Sequence, residues 1–175
     1  MVQIRPYAAA DWPLLWPLLQ RIFDAGETYA YAPSSTEADI HQAWITVPQQ
    51  TWVACTPEGT LVGSYVIKPN QPGLGAHVCN CGYVVDPQAA GQGVASQMCV
   101  HSQQLALELG FRAMQFNLVV ASNERAVRLW QRLGFEVVGR LPGAFRHSRL
   151  GYVDALVMFK QLVTDAVTGS SPDGT

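Results

Sequence analysis

A chain of 175 residues with 49% hydrophobic and only 14% charged side chains is long enough for one packed domain and too apolar to be a disordered chain. Its 11 Lys+Arg against 13 Asp+Glu lack the dominating positive field of a general nucleic-acid coat. The longest apolar run, residues 155–159, falls far short of the roughly 20 residues of a membrane helix, and the first residues show no export signal, so Cys55, Cys79, Cys81 and Cys99 are expected to be reduced thiols of a cytoplasmic protein.

In chain order, residues 2–5 form a short strand. Asp11 is placed to cap a helix, because Leu14, Leu15, Leu18, Leu19, Ile22 and Phe23 recur at helical spacing. Pro13 suits the first turn, whereas Pro17 threatens to kink or delay the helix. Ser35 or Thr36 caps a second helix running through Trp44 and Ile45. Strands at 51–55 and 61–68 flank Pro57-Glu58-Gly59, a hairpin signature. Residues 77–85 form another strand, and 91–109 give the longest helical pattern, stopped by Gly110. A strand at 113–119 leads to a helix capped by Ser122 or Asn123 and ended by Gly134; strands at 135–140 and 153–160 close the chain. The fold class is therefore α/β, with a mixed sheet. Two strand–helix–strand crossings imply parallel pairing in its middle, and hairpin links imply antiparallel pairing elsewhere. Residues 1–163 make one domain, and the small polar stretch 164–175 reads as a flexible tail.

Charge is unevenly spread. Residues 1–90 hold three basic and seven acidic side chains, whereas 112–149 hold seven arginines against Glu124 and Glu136. Such a split suits an anionic ligand held toward the C-terminal half, or simply solvated helix faces. The more specific signal is the segment Val84-Val85-Asp86-Pro87-Gln88-Ala89-Ala90-Gly91-Gln92-Gly93-Val94-Ala95-Ser96. A strand enters a two-glycine turn and a helix begins at once. First-turn N–H groups lack internal partners, the helix dipole adds positive potential, and glycine removes the Cβ that would keep a bulky anion away. This is a phosphate seat. No lysine follows it, as a nucleoside-triphosphate loop requires, and Ser96 stands where a dinucleotide fold needs a third glycine. The competing reading is a glycine-rich helix start that binds nothing. The second segment, Asn123-Glu124-Arg125-Ala126-Val127-Arg128-Leu129-Trp130-Gln131-Arg132-Leu133-Gly134-Phe135, is an amphipathic helix with arginines on one side.

Together these segments resemble the Gcn5-related N-acetyltransferase (GNAT) superfamily, with its strand, its Q/R-x-x-G-x-G/A turn at a helix start and its N-x-x-A-x-x-L-Y-x-x-x-G-F-type helix. The resemblance covers residues 2–160 and implies a GNAT fold: a mostly antiparallel sheet whose two central parallel strands splay apart, with helices on both faces. It implies acetyl-coenzyme A as donor. The diphosphate would sit on the N–H groups of Gly91, Gln92, Gly93, Val94, Ala95 and Ser96; Val85 would offer its backbone to the thioester carbonyl; Asn123 would contact the pantetheine arm. Ala90 is taken to stand where the family's turn opens with Gln or Arg. Trp130 stands where many members carry a tyrosine that protonates the leaving thiolate; an indole N–H donates a hydrogen bond but is no acid near neutral pH. A simple thiol has a pKa of about 8.5, so the thiolate leaves tolerably without that acid.

The stretches HVCNCGYVV, FNLVVASNERAVRLW and YVDALVM further resemble the yeast-type N-acetyltransferases acting on azetidine-2-carboxylate and related proline analogues. That resemblance implies that Asn80 and Asn117 meet the substrate, and that the acceptor is a small-molecule amine, with amino acids and toxic proline analogues as candidates. Two amides inside apolar strands need partners, and a ligand or a neighbouring backbone group would each serve. An amide is no base at neutral pH, so a water held by Asn80 and Asn117 takes the proton, or the amine arrives neutral. In direct transfer the free amine attacks the thioester carbonyl, and Asn80, Asn117 and Val85 are the catalytic set.

Glu27, Tyr29 and Tyr31 lie in the loop that covers the acceptor in this family, and are expected on the substrate side. His77, Cys79 and Cys81 alternate along one strand, a poor tetrahedral set, so no metal is expected. Arg149 and His147 are expected at the surface; the alternative is that Arg149 pairs with a substrate carboxylate and His147 tunes pH dependence. Expected partners are the amine and, if the chain assembles, a second copy of itself; nucleic acid and membrane are not expected. Transfer to a protein or peptide amine, and a non-catalytic coenzyme A-binding module, are the rival readings.

Overall fold

The structure, a computed structural model, describes residues 1–163; the tail expected at 164–175 lies outside the described residues. Seven strands, β1 (Gln3–Pro6), β2 (Gln50–Cys55), β3 (Leu61–Pro69), β4 (Val78–Val85), β5 (Ala113–Val120), β6 (Glu136–His147) and β7 (Gly151–Gln161), form one sheet in the order β1-β2-β3-β4-β5-β7-β6. All neighbours are antiparallel except β4 and β5. The helices are α1 (Trp12–Asp24), α2 (Glu37–His41) with a π turn at Gln42–Thr46, α3 (Val94–Glu108) and α4 (Glu124–Arg132).

Local chemistry sets the boundaries. Asp11 precedes α1 but does not cap it with its side chain; its carboxylate accepts from the Ala8 N–H at 2.8 Å and pairs with Arg5 at 2.7 Å. The Arg5 hydrogen bond holds that carboxyl below its ordinary range. Pro17 neither kinks nor delays α1 enough to end it; Pro13 and Pro17 are both exposed, so the carbonyl that Pro17 cannot serve is open to water. Of the two candidates for the next cap, Thr36 takes the role, its hydroxyl accepting from the Asp39 N–H while Asp39 bonds back. Asn123 does the same for α4 through the Ala126 N–H.

The sheet is covered on both faces. On one, α1 and α2 bury Leu15, Leu19, Phe23, Ile40 and Trp44 against Val53, Val66 and Val84. On the other, α3 and α4 bury Val94, Met98, Cys99 and Trp130 against Tyr65, Met114 and Phe116. Each such large side chain contributes roughly 1.5–3 kcal/mol through burial. Cys79 and Cys81 pack in this second core, and burial pushes the Cys81 thiol up, away from the reactive thiolate.

Two expectations need correction. Only the β4–α3–β5 crossing yields a parallel hydrogen-bonded pair; the second crossing carries β6 past β7, which inserts between β5 and β6. The last two strands are also longer than 135–140 and 153–160. β6 runs on through Pro142 and Gly143, with an irregularity between Leu141 and Phe145. Asp154 of β7 makes this possible by accepting from the Gly143 N–H at 3.0 Å and pairing with Arg140 at 2.8 Å.

Candidate active site

The site begins where β4 and β5 part. Their register holds only from Val78–Asn80 to Ala113–Gln115. β4 then stays with β3 as far as Val85, while β5 follows β7 and takes a bulge in which Asn117 and Leu118 lie between the Phe116–Met158 and Val119–Leu156 pairs. The result is a wedge in the sheet, opening into a cleft of about 780 Å3. Two backbone bonds fix which groups face the wedge. The Asn70 N–H donates to the Val78 carbonyl and the Asp86 N–H to the Val62 carbonyl, both at 2.8 Å. Even-numbered residues of β4 therefore pair with β3, and the backbone groups of Cys81, Tyr83 and Val85 point toward the departed β5. The Tyr83 carbonyl is met by the Tyr29 hydroxyl at 2.7 Å. Val85 borders the cleft with its N–H and carbonyl directed into it.

At the mouth of the wedge, a short 3-10 turn (Pro87–Ala89), capped by the Asp86 carboxylate, leads to Gly91 (φ 87°) and Gly93 (φ 77°). These left-handed residues delay α3 to Val94, three residues beyond the expected start. The N–H groups of Val94, Ala95 and Ser96 have no acceptor within the helix, and no side chain caps them. A Cβ on Gly91 would stand 3.3 Å from Nη2 of Arg125, so the absent side chain lets the guanidinium lie close against the turn. Gln92 departs from the set expected here: its N–H donates to the Ala89 carbonyl at 3.3 Å, its side chain to the Gln88 carbonyl, and it does not border the cleft. Counted back from Gly91 and Gly93, the residue that opens the turn is Gln88, not Ala90, so the departure expected at Ala90 disappears.

Asn123 and Trp130 border the cleft from α4. The Trp130 indole packs on Tyr83 at 5.1 Å and Phe116 at 5.2 Å between ring centres. On the other side of the sheet, Asn80 and Asn117 both border the cleft. The Asn80 amide donates to the Gln115 carbonyl at 2.9 Å, at the last paired position, and so ties the two strands where they fork. Asn117 is exposed, donates to Asn70 Oδ1 at 2.7 Å and accepts from the Gln115 amide at 2.9 Å. Tyr29 and Tyr31 stack in parallel from the loop between α1 and α2, and burial pushes both phenols up. Gly82 makes space for this: a Cβ there would meet the Tyr29 hydroxyl at 3.1 Å. Glu27 departs from the expected set. It pairs with Arg149 at 2.6 Å and borders a separate, smaller cavity. Ser148 clasps the same loop, its N–H donating to the Gly26 carbonyl and its hydroxyl to that of Ala25. His147, expected at the surface, is buried, and its Nδ1 accepts the N–H groups of Arg149 and Leu150.

Among the described residues, the charged side chains bordering the cleft are Lys68, Arg125 and Arg132, all cationic, and no carboxylate or imidazole borders it. The arginine pattern on α4 was legible, with Arg128 paired to Glu124 at 3.0 Å; Lys68 and Gly82 carried no sequence signal, because only strand pairing brings them to the site.

Comparison with known proteins bears on this geometry. The family model described as Acetyltransferase (GNAT) family matches residues 12–135. N-acetyltransferase aca1 of Schizosaccharomyces pombe is 38% identical over 99 residues, 56% of this chain and 47% of that protein; the chain spans less than half the length of the curated relatives it matches. The solved structure of a GCN5-related N-acetyltransferase from Kribbella flavida is 44% identical, with a TM-score of 0.87 over 91% of this chain and 97% of that one. A phosphinothricin acetyltransferase (Pat) from Sinorhizobium meliloti, solved in complex with AcCoA, shares the fold at 20% identity, with a TM-score of 0.80 over 98% of this chain and 96% of that one.

Proposed function

We propose, since this chain belongs to the acetyltransferase (GNAT) family, that it is an N-acetyltransferase moving an acetyl group from acetyl-coenzyme A directly to the amine of a small molecule. The observation that carries the reading is the continuity of the α3 N-terminus with the wedge between β4 and β5. The donor, when bound, supplies an acetyl group activated as a thioester. The N–H groups at Gly93, Val94, Ala95 and Ser96, with Arg125 beside Gly91, suit its diphosphate. Asn123 and Trp130 then border the path of the thiol arm, and the Val85 backbone stands ready to hydrogen-bond the thioester carbonyl and the charge that grows on it.

The acceptor would enter from the Tyr31 and Asn117 side. Its nitrogen must be neutral to attack, and among the described residues no carboxylate or imidazole borders the cleft to take the proton. Water ordered by Asn80 and Asn117 is left with that task, and positioning supplies most of the rate. As the C–N bond forms and the C–S bond breaks, the thiolate leaves without a tyrosine acid. Trp130 contributes only a hydrogen-bond donor and packing.

Calorimetry with acetyl-coenzyme A, followed by thiol release across a panel of amines, tests this. Saturable binding and release with small amines are expected, with a rate that climbs with pH until the amine itself is deprotonated. Failure to bind the donor, or thiol release only with peptides, would overturn the reading.

A further inference from the structure

Resting on that reading, we propose that Tyr29 is a positioning residue for the acceptor: its hydroxyl takes the ladder place that β5 gives up at the Tyr83 carbonyl, docks the loop between α1 and α2 on the open side of β4, and so presents Tyr31 to the cleft, with Gly82 as the notch that admits it. The strand register creates the need. β4 and β5 pair only as far as Asn80 and Gln115, and the Tyr83 carbonyl is turned to the side that β5 has left. A carbonyl there must find its donor elsewhere. The Tyr29 hydroxyl supplies it at 2.7 Å. Burial keeps that phenol protonated, so it donates at any working pH. From a loop, Tyr29 does what a β5 amide would do in a continuous sheet.

The notch is equally specific. Gly82 lies opposite Val66 of β3 and shares a face with Val84, both of which pack toward α1 and α2. A Cβ on Gly82 would stand 3.1 Å from the Tyr29 hydroxyl and 3.5 Å from Cε1 of Tyr29 and Cη2 of Trp44. The tyrosine has little room to retreat, since its ring centre lies 5.1 Å from that of Phe23 and 5.8 Å from that of Trp44. Gly82 is not among the left-handed glycines. What asks for glycine here is the close approach of Tyr29 and not the backbone conformation. A side chain at position 82 would push the phenol off its carbonyl.

The loop is thereby held at two points. Ser148 bonds Ala25 and Gly26 where the loop leaves α1, and Tyr29 bonds β4 further on. Tyr31, two residues later, stacks on Tyr29 with 13° between the ring planes and borders the cleft. Its place over the cleft is inherited from Tyr29. The donor end of the cleft depends on none of this, because the α3 helix start lies across the sheet from α1 and α2. Loss of the Tyr29 bond should therefore be felt by the acceptor and not by the donor.

The test compares the wild-type chain with Tyr29→Phe, Gly82→Ala and the double variant. Tyr29→Phe keeps the ring packing and removes only the donor. In the double variant the added Cβ has no neighbour closer than the 3.5 Å contacts, an ordinary separation. Hydrogen exchange read by mass spectrometry should show amides 27–32 exchanging about 5–20-fold faster in Tyr29→Phe, the effect of one lost buried hydrogen bond, with β2, β3 and α3 unchanged. Acceptor KM, read with L-azetidine-2-carboxylate or with the fastest amine of the panel, should rise by a similar factor. The kcat should stay within about threefold and the acetyl-coenzyme A Kd within about twofold. Gly82→Ala should produce the same pattern in the wild type and add less than about twofold to Tyr29→Phe, since both act through one contact. Wild-type loop exchange in Tyr29→Phe, faster exchange with an unmoved acceptor KM, or effects that multiply in the double variant would each overturn the assignment. Absence of thiol release with every amine in the wild type would instead overturn the acetyltransferase reading, while the exchange comparison still decides whether Tyr29 docks the loop.

Discussion

The two sides of the wedge are built on different principles. The side proposed for the donor is main chain: a helix start with free N–H groups, two left-handed glycines and a strand whose amide faces an open gap. The side proposed for the acceptor is side chain: two tyrosines, four amides and one lysine gathered from β3, β4, β5 and two connecting segments. A surface made of backbone would suit the diphosphate of the proposed donor, whereas a surface made of side chains can change its ligand one residue at a time.

The sharpest way to break this contrast is to put a side chain into the backbone surface. Gly91→Asp forces a non-glycine residue to φ 87° and places a carboxylate where the diphosphate would lie. Acetyl-coenzyme A affinity should fall by about 100-fold or more by calorimetry, since left-handed strain and charge repulsion act together. Thermal stability should fall by about 1–2 kcal/mol from the left-handed strain, too little to unfold the chain and too little to account for a 100-fold loss of donor affinity by unfolding. Unchanged affinity would mean that the helix start is not the seat.

On the other side, Asn80→Ala and Asn117→Ala should each lower turnover by about 10-fold or more while leaving the acetyl-coenzyme A Kd within about twofold, as expected if they order water and amine and not the donor. Steady-state kinetics that match wild type in both variants would reduce these amides to strand glue, a role that the Asn80 bond to Gln115 could fill by itself. The smallest effect is expected at the clasp. Arg149→Ala removes an exposed ion pair with Glu27, so melting should shift by less than about 1 kcal/mol equivalent. Because Ser148 still bonds Ala25 and Gly26, acceptor KM should rise only a few-fold. A large loss would place Glu27 back at the acceptor.

The same division explains what could be read from the residues alone. The caps at Thr36 and Asn123 and the stops at Gly110 and Gly134 are local chemistry, visible in the string of letters. So is the glycine turn, although positive φ values on either side of Gln92 push α3 back to Val94, and Gln92 turns away from the cleft toward Ala89. The insertion of β7 between β5 and β6 is not local, and neither is the passage of β6 through Pro142 and Gly143, which depends on Asp154 on the partner strand. Lys68 was silent for the same reason: its neighbours come from β4 and β5, and a lone lysine at a strand end looks like any surface residue. Glu27 was drawn into the acceptor set by its position in the loop, but Arg149, more than a hundred residues away, claims its carboxylate.

The bond from the Tyr29 hydroxyl to the Tyr83 carbonyl has a wider meaning. A split sheet exposes raw main chain along its seam, and any stray extended peptide could zip itself in. One phenol stoppers part of that seam and excludes interlopers before the proper guest arrives. Since the stopper hangs from a connecting segment and not from the sheet, new guests can be admitted by rewriting that segment while the machinery beneath it stays untouched.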